Sequence, residues 1–525
     1  MDVGRGEGVT GNQPWVFGNP GRPEPMDLNQ EPDWFPEFNP RLPWWDQGST
    51  SGRTSTLAPP ASPPAMTVSP TPVASASERA RTIPTWIWLL VLLVVAAFLR
   101  LHALDRIGFN SDEAVYAGQA ASISGSQALL RYFPIYRAHP LLYQAVVSVA
   151  YHVVVTDFVA RVVAVLFGLA TIVVAYALGS LLYGRRTGLF TAALLALMPY
   201  HVVVSRQALL DGPEVFFATL ALFTLAKFRT TEDGRWLVAL GGALGLTFLT
   251  KETSVVLLGA VFVYFALDAH VRLSRRAVAG SVAVFTALAV VYPVSTAFGG
   301  ASKSGKSFVL WQLLRKPNHG YGFYFTTAVP ALGVLVIALA AYALVALRRQ
   351  RSWRETMLVC WSVVPFVFFE LWPTKGYQYV LIVAPPVAVL AACGVTHLAR
   401  RSEFTLGSLR NSRRGVTAAI FAVVAISLLV PSWSAVNAES RSSSLAGTGG
   451  LVGGRETGRW IRDHIPPDTQ MLAIGPSVAN VLEFYGDRKV WGLSISTDPR
   501  QRNPVYQPVK NPDLAIREGT LQYIV

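Results

Sequence analysis

Apolar runs of about membrane length recur along this chain from residue 84 to residue 433, and that repetition leaves little choice of fold class. A helix needs about 20 mostly apolar residues to cross the hydrocarbon, where every backbone N–H and C=O must be satisfied within the segment. Eleven runs come near that length: Pro84 to Ala103, Phe158 to Leu182, Thr187 to Val204, Pro213 to Phe228, Trp236 to Thr250, Thr253 to Ala269, Val278 to Thr296, Phe325 to Leu347, Thr356 to Trp372, Tyr377 to Ala399 and Val416 to Pro431. With 52% hydrophobic and 14% charged residues among 525, the sequence reads as an α-helical polytopic membrane protein of about eleven transmembrane helices.

The net charge of +14 would suit nucleic acid if it were gathered on a soluble face, but the charges sit mainly in short loops between apolar runs. Arg79 and Arg81, Arg185 and Arg186, Arg272 with Arg275 and Arg276, Arg348 to Arg354, and Arg400 to Arg414 mark such loops. They fall on one side if the short run from Leu141 to Val155, which contains His152, lies at the interface without crossing. By the positive-inside rule that side is the cytoplasm. The N-terminus is then inside and the segment after the last run outside, in a bacterial plasma membrane. The same parity gathers Asp112, His139, Arg206, Asp211, Lys251, the loop from Phe298 to Tyr324, and Lys375 on the outer face. Lys303, Lys306, Arg315 and Lys316 depart from the rule there, which suits an anionic partner or plain solvent exposure.

Three regions follow. Residues 1–80 are rich in Pro, Gly, Ser and Thr, with islands such as Trp34-Phe35-Pro36 and Pro43-Trp44-Trp45, the composition of a disordered cytoplasmic tail. A first apolar run that begins only near residue 84 does not read as a signal peptide. Residues 81–433 form the membrane domain. Residues 434–525 read as a small extracytoplasmic α/β unit, with helices over Glu456 to His464 and Ser477 to Tyr485 and strands over Met471 to Ile474 and Lys489 to Leu493. Its last residues, Leu521 to Val525, look like a strand with no polar tail and suggest a truncated end. Cys360 and Cys393 lie within apolar runs, so no disulfide framework is read.

Gly300 to Ser307 fits the phosphate-loop pattern GxxxxGK[ST], but it follows a membrane run instead of a sheet strand and faces outside, so it reads as a flexible basic loop near a lipid phosphate. The more informative segment is Gly108-Phe109-Asn110-Ser111-Asp112-Glu113. Two carboxylates beside the first span are costly and point to a substrate path. They also suit the first turn of a helix capped by Asn110 or Ser111, worth about 0.3–1 kcal/mol through the helix dipole. Arg206 with Asp211, and Lys251 with Glu252, read equally as structural ion pairs, and His139-Pro140 alone as a turn. Taken together, a carboxylate, several cations and a histidine on one face suit a reaction that deprotonates a hydroxyl while a phosphate leaves.

These segments resemble the GT-C glycosyltransferases that take sugars from polyprenyl phosphates, in particular the protein O-mannosyltransferase and aminoarabinose transferase group of glycosyltransferase family 39. The resemblance covers roughly residues 85–400 and rests on Asp112-Glu113, Ala138-His139-Pro140-Leu141-Leu142-Tyr143, Ser205 to Asp211, Leu249-Thr250-Lys251, and Lys375-Gly376-Tyr377-Gln378-Tyr379 before Pro385-Pro386. The family usually has a second proline where this chain has Leu141. The resemblance implies Asp112 as general base with Glu113 beside it, His139, Arg206 and Lys375 as ligands of the donor phosphate, and Asp211, Lys251 and Tyr379 in support. It implies a polyprenyl-phosphate sugar as donor, a hydroxyl on an outer-face protein, glycan or lipid as acceptor, and inversion at the anomeric carbon. Metal dependence differs among relatives, so no metal is assigned. Two other classes stay open: a transporter or lipid flippase whose charges line a translocation path, and a noncatalytic scaffold for cell-wall enzymes.

Overall fold

The computed structural model describes residues 84–136, 138–268, 270–299, 308–405, 412–438, 450–493 and 512–525. The tail of residues 1–80, the phosphate-loop-like segment with Lys303 and Lys306, and Arg410 lie outside them. Helix α1 spans Thr85–Leu101, and α2 (Ser111–Ile123), α3 (Gln127–Leu130) and α4 (Leu142–Tyr151) form the first loop region. Then come α5 (Asp157–Tyr183), α6 (Arg185–Leu197), α7 (Pro199–Val204), α8 (Asp211–Thr231), α9 (Gly234–Thr250), α10 (Val256–Leu267), α11 (Arg275–Ala289) and α12 (Val291–Phe298). The bundle finishes with α13 (Phe308–Leu314), α14 (Phe323–Leu332), α15 (Val334–Ala346), α16 (Trp353–Leu371), α17 (Ala384–Thr405) and α18 (Ser412–Asn437).

Several apolar runs expected as single spans are broken, each for a local reason. Thr187 to Val204 divides at Met198 because Pro199 has no N–H and opens α7 as its first residue. That leaves carbonyls at the end of α6 without helical donors, and the fully buried guanidinium of Arg100, from α1, reaches the Leu195 and Ala196 oxygens at 3.2 and 3.1 Å. Phe325 to Leu347 bends by 92° between α14 and α15, where Gly333 adopts φ +95° just after Pro330. Among the described residues, four helices are long and apolar enough to cross a membrane, or five with that bent pair. The run after Leu141 is the ten-residue helix α4.

Small residues let the helices approach closely, as membrane packing favours. Gly179 and Gly188 bring α5 against α6, and Gly241 and Gly245 bring α9 against α11.

After α18 the chain forms α19 (Gly454–His464), β1 (Gln470–Ile474), α20 (Pro476–Gly486), β2 (Lys489–Leu493), α21 (Pro512–Arg517) and β3 (Tyr523–Ile524). The three strands are parallel in the order β2-β1-β3, with Met471 opposite both Val490 and Tyr523. Ile461, Met471, Ala479, Leu482 and Val490 make the core of this unit. Val481 and Tyr485 of α20 instead join the apolar cluster around Phe109, Phe133 and Tyr143, so the unit is packed onto the first loop region.

Candidate active site

The two adjacent acids at the start of α2 are separated by the helix itself, since neighbouring side chains project about 100° apart. Asp112 is exposed. Glu113 has no exposed surface and closes a capping box: its backbone N–H donates to Asn110 Oδ1 at 2.9 Å, and its Oε2 accepts from the Asn110 N–H at 3.0 Å. The same carboxylate accepts from Arg161 Nε at 2.8 Å and Nη2 at 2.7 Å, and from the Ala208 N–H at 2.9 Å. Arg161, in α5, also donates to the carbonyls of Leu104, Ile107 and Gly108 at 2.9, 2.7 and 3.0 Å. Glu113 therefore ties three chain segments together, its carboxylate turned to Arg161 while Asp112 beside it is exposed.

One turn further along α2, Tyr116 marks where several expected residues converge. Burial raises its pKa well above the ordinary phenol value, and the charges of Asp112, Asp211, Tyr379 and Glu252 add to that effect. His139 lies 6.0 Å from the Tyr116 ring, centre to centre, with Nδ1 at 3.0 Å from both carboxylate oxygens of Glu252. Burial alone would lower the His139 pKa, but Glu252 outweighs it and the net shift is upward, with Asp112 contributing in the same direction. Lys251 Nζ sits 2.6 Å from Asp211 Oδ1, 3.4 Å from Glu214 Oε2 and 3.9 Å from the centre of the Tyr379 ring. The expected pairs Lys251–Glu252 and Arg206–Asp211 are thus replaced by Lys251–Asp211 and His139–Glu252. Asp112, His139, Asp211, Lys251 and Tyr379 belong to one neighbourhood.

The other two expected phosphate ligands make contacts of their own. Arg206 spends its guanidinium on the end of α1, with Nη1 donating to the carbonyls of Leu99, Arg100 and His102 at 2.9, 2.8 and 2.8 Å and Nη2 to Ala103 at 3.3 Å. The Leu99 and Arg100 carbonyls among them are ones a helix C-terminus leaves without helical donors, so Arg206 caps the end of α1. Lys375 is buried beneath Tyr321, its Nζ 5.3 Å from the ring centre, and its backbone is pinned by Asn318 at 2.8 Å on both N–H and C=O. Its charge lowers the His319 pKa, after burial. Lys375 therefore heads a second cationic group beside the Asp112 neighbourhood, joined to it through the short stretch leading to Tyr379.

Arg315 comes near Tyr379 as well. Its guanidinium lies 4.7 Å above Trp311, burial lowers its pKa, and Tyr379 opposes that shift. Its Nε is buried without a hydrogen-bond acceptor. Among the described residues no three His, Cys, Asp or Glu side chains come together closely enough to hold a metal ion. Tyr116 and Arg161 were not singled out by sequence reasoning, and Glu252 only as a pair for Lys251; an arginine inside an apolar run was itself a signal for Arg161, because such a charge needs a partner.

The helical bundle, with an acid-headed loop region after its first helix, is similar in fold to solved structures, and part of the chain matches a known family. Residues 138–296 match the family described as dolichyl-phosphate-mannose-protein mannosyltransferase. The chain is 26% identical over 289 residues to undecaprenyl phosphate-alpha-4-amino-4-deoxy-L-arabinose arabinosyl transferase 2 of Proteus mirabilis, covering 52% of this chain and 52% of that protein. It thus spans about half the length of the curated relative it matches. Its fold is similar to that of ArnT from Cupriavidus metallidurans in the apo state, with TM-score 0.61, 18% identity, and coverage of 80% of this chain and 87% of that one. The same protein bound to undecaprenyl phosphate gives TM-score 0.59 at 19% identity, with coverage of 79% and 87%.

Proposed function

We propose that this chain moves a sugar from a polyprenyl-phosphate donor to a hydroxyl of an outer-face acceptor, with inversion. The observation that carries the reading is the exposed Asp112 at the head of α2, set beside the buried pairs His139–Glu252 and Lys251–Asp211. Asp112 takes the proton of the acceptor hydroxyl as that oxygen attacks the anomeric carbon. The bond to the phosphate oxygen breaks on the opposite face, and the phosphate leaves without needing an acid. Negative charge then grows on the leaving phosphate, where His139, Arg315 and Lys375 are the cations we assign to meet it. Arg315 has the most direct claim, since its buried Nε lacks an acceptor.

The donor lipid is argued from the relatives, whose names specify undecaprenyl phosphate and a 4-amino sugar. We read the eleven apolar runs as the crossings, with the N-terminus cytoplasmic and residues 434–525 outside.

The test is turnover by purified chain in detergent, supplied with host membranes as the source of acceptor. Undecaprenyl phosphate-α-4-amino-4-deoxy-L-arabinose and a polyprenyl-phosphate mannose are offered in turn, and released lipid phosphate is counted. Turnover, with preference for the amino sugar, is expected. A flippase has no compartments to work between in detergent, so no turnover of either donor would return the transporter reading to first place.

A further inference from the structure

The residues immediately before Asp112 are held from outside the membrane bundle. Tyr485, in α20, accepts the Phe109 N–H on its hydroxyl at 2.9 Å and donates that hydroxyl to Asp157 Oδ2 at 2.7 Å. Asn480, five residues earlier in the same helix, donates from Nδ2 to the Ser111 hydroxyl at 2.9 Å. The Leu451 N–H donates to the Phe109 carbonyl at 3.2 Å, and the Phe109 ring lies 5.1 Å from Phe484. Arg455 completes the contact, 2.5 Å from Asp157 Oδ2, and a Cβ on Gly108 would sit 2.9 Å from its own Cβ. Gly108, Phe109 and Ser111 are thus gripped by the C-terminal α/β unit, while the Glu113–Arg161 network holds the other side of the same turn.

We propose that the α/β unit is part of the active centre, with Asn480 and Tyr485 as positioning residues that set the direction of the Asp112 carboxylate. The inference rests on Asp112 being the base. A bond made to Ser111, the residue next to that base, has a particular consequence. Releasing it leaves the capping box and the Arg161 pair intact, so α2 stays formed while its first turn is free to shift. A displacement on the order of 1 Å at a reacting group lowers a rate by up to about a hundredfold.

The experiment is a double-mutant cycle of Asn480→Ala and Ser111→Ala, with Tyr485→Phe alongside. It is read by kcat, donor KM, melting temperature and hydrogen exchange of the amides of residues 109–114. Each single variant is expected to lower kcat about tenfold, leave donor KM within about twofold and leave melting nearly unchanged. The double variant should be no slower than the slower single, because both remove one bond. Amide exchange at the head of α2 should quicken in all three. Wild-type kcat, or losses that multiply in the double variant, or KM and melting falling together with kcat, would overturn the proposal. Asp112→Asn run beside them separates the two ideas. If that variant transfers sugar at the wild-type rate, the assignment of the base has failed, and unchanged exchange in Asn480→Ala would then refute the clamp on its own terms.

Discussion

Replacing Glu113 by Ala probes the division of labour between the paired acids most sharply, because its magnitude can be worked from contacts. The side chain accepts two bonds from Arg161 and one each from the N–H groups of Ala208 and Asn110. Removing one partner of a buried ion pair costs about 3–5 kcal/mol, since the other charge is left uncompensated. Arg161 keeps its three backbone carbonyls, which points to the lower end of that range for the pair. Leaving two buried N–H groups without acceptors pushes the total back up, at about 1–3 kcal/mol each before any relaxation. We expect a net loss of about 4 kcal/mol, read as the shift in an equilibrium unfolding curve in a fixed detergent. Glu113→Ala combined with Arg161→Met removes both charges and should recover part of that loss, giving a coupling of at least about 1 kcal/mol. A double variant as unstable as the sum of the singles, or a Glu113→Ala protein with wild-type unfolding, would refute the reasoning.

Further outcomes follow from the same contacts. Arg206→Ala should destabilise the protein by about 2–4 kcal/mol through the four carbonyls it releases at the end of α1, with donor KM unchanged, and Arg206→Lys should not rescue it because an ammonium cannot span that set. The folded pKa of His139 lies above its ordinary value of 6.5, so the stability contributed by its pair with Glu252 is fully present below that value and is lost as pH rises through the folded pKa. Glu252→Gln should move that titration downward, as seen in the imidazole NMR shift; an unmoved midpoint would contradict it. Gly188→Ala would force a methyl against Ser180 and within 2.6 Å of the Tyr176 carbonyl, so a loss of about 1–3 kcal/mol is expected in melting experiments.

Sequence periodicity located most helices of the bundle, and the elements around Glu456, Met471, Ser477 and Lys489 coincide with α19, β1, α20 and β2 to within two residues at each start. What it could not supply was partnership. Nothing local distinguishes Asp112 from Glu113, yet a single residue of helical rotation leaves one exposed and seals the other against Arg161. Lys251 and Glu252 are neighbours in sequence and turn to different partners because Lys251 ends α9 in extended backbone and Glu252 opens a 3-10 turn. The role of Arg206 was hidden for the same reason: its acceptors lie over a hundred residues earlier, at the end of α1. The break at Gly333 was visible in Pro330 and Gly333 themselves, whereas the grip of α20 on Phe109 and Ser111 depends on a contact across more than 360 residues that no pattern encodes.

Asp112→Asn is to be assayed for release of undecaprenyl phosphate from a lipid-linked amino sugar while donor binding is measured on the same preparation. An exposed carboxylate replaced by an amide of equal size should leave stability within about 0.5 kcal/mol and donor affinity unchanged. Loss of the base should lower transfer by about 10²–10⁴-fold. Transfer at the wild-type rate in that variant, with the protein folded and donor bound, would contradict the account.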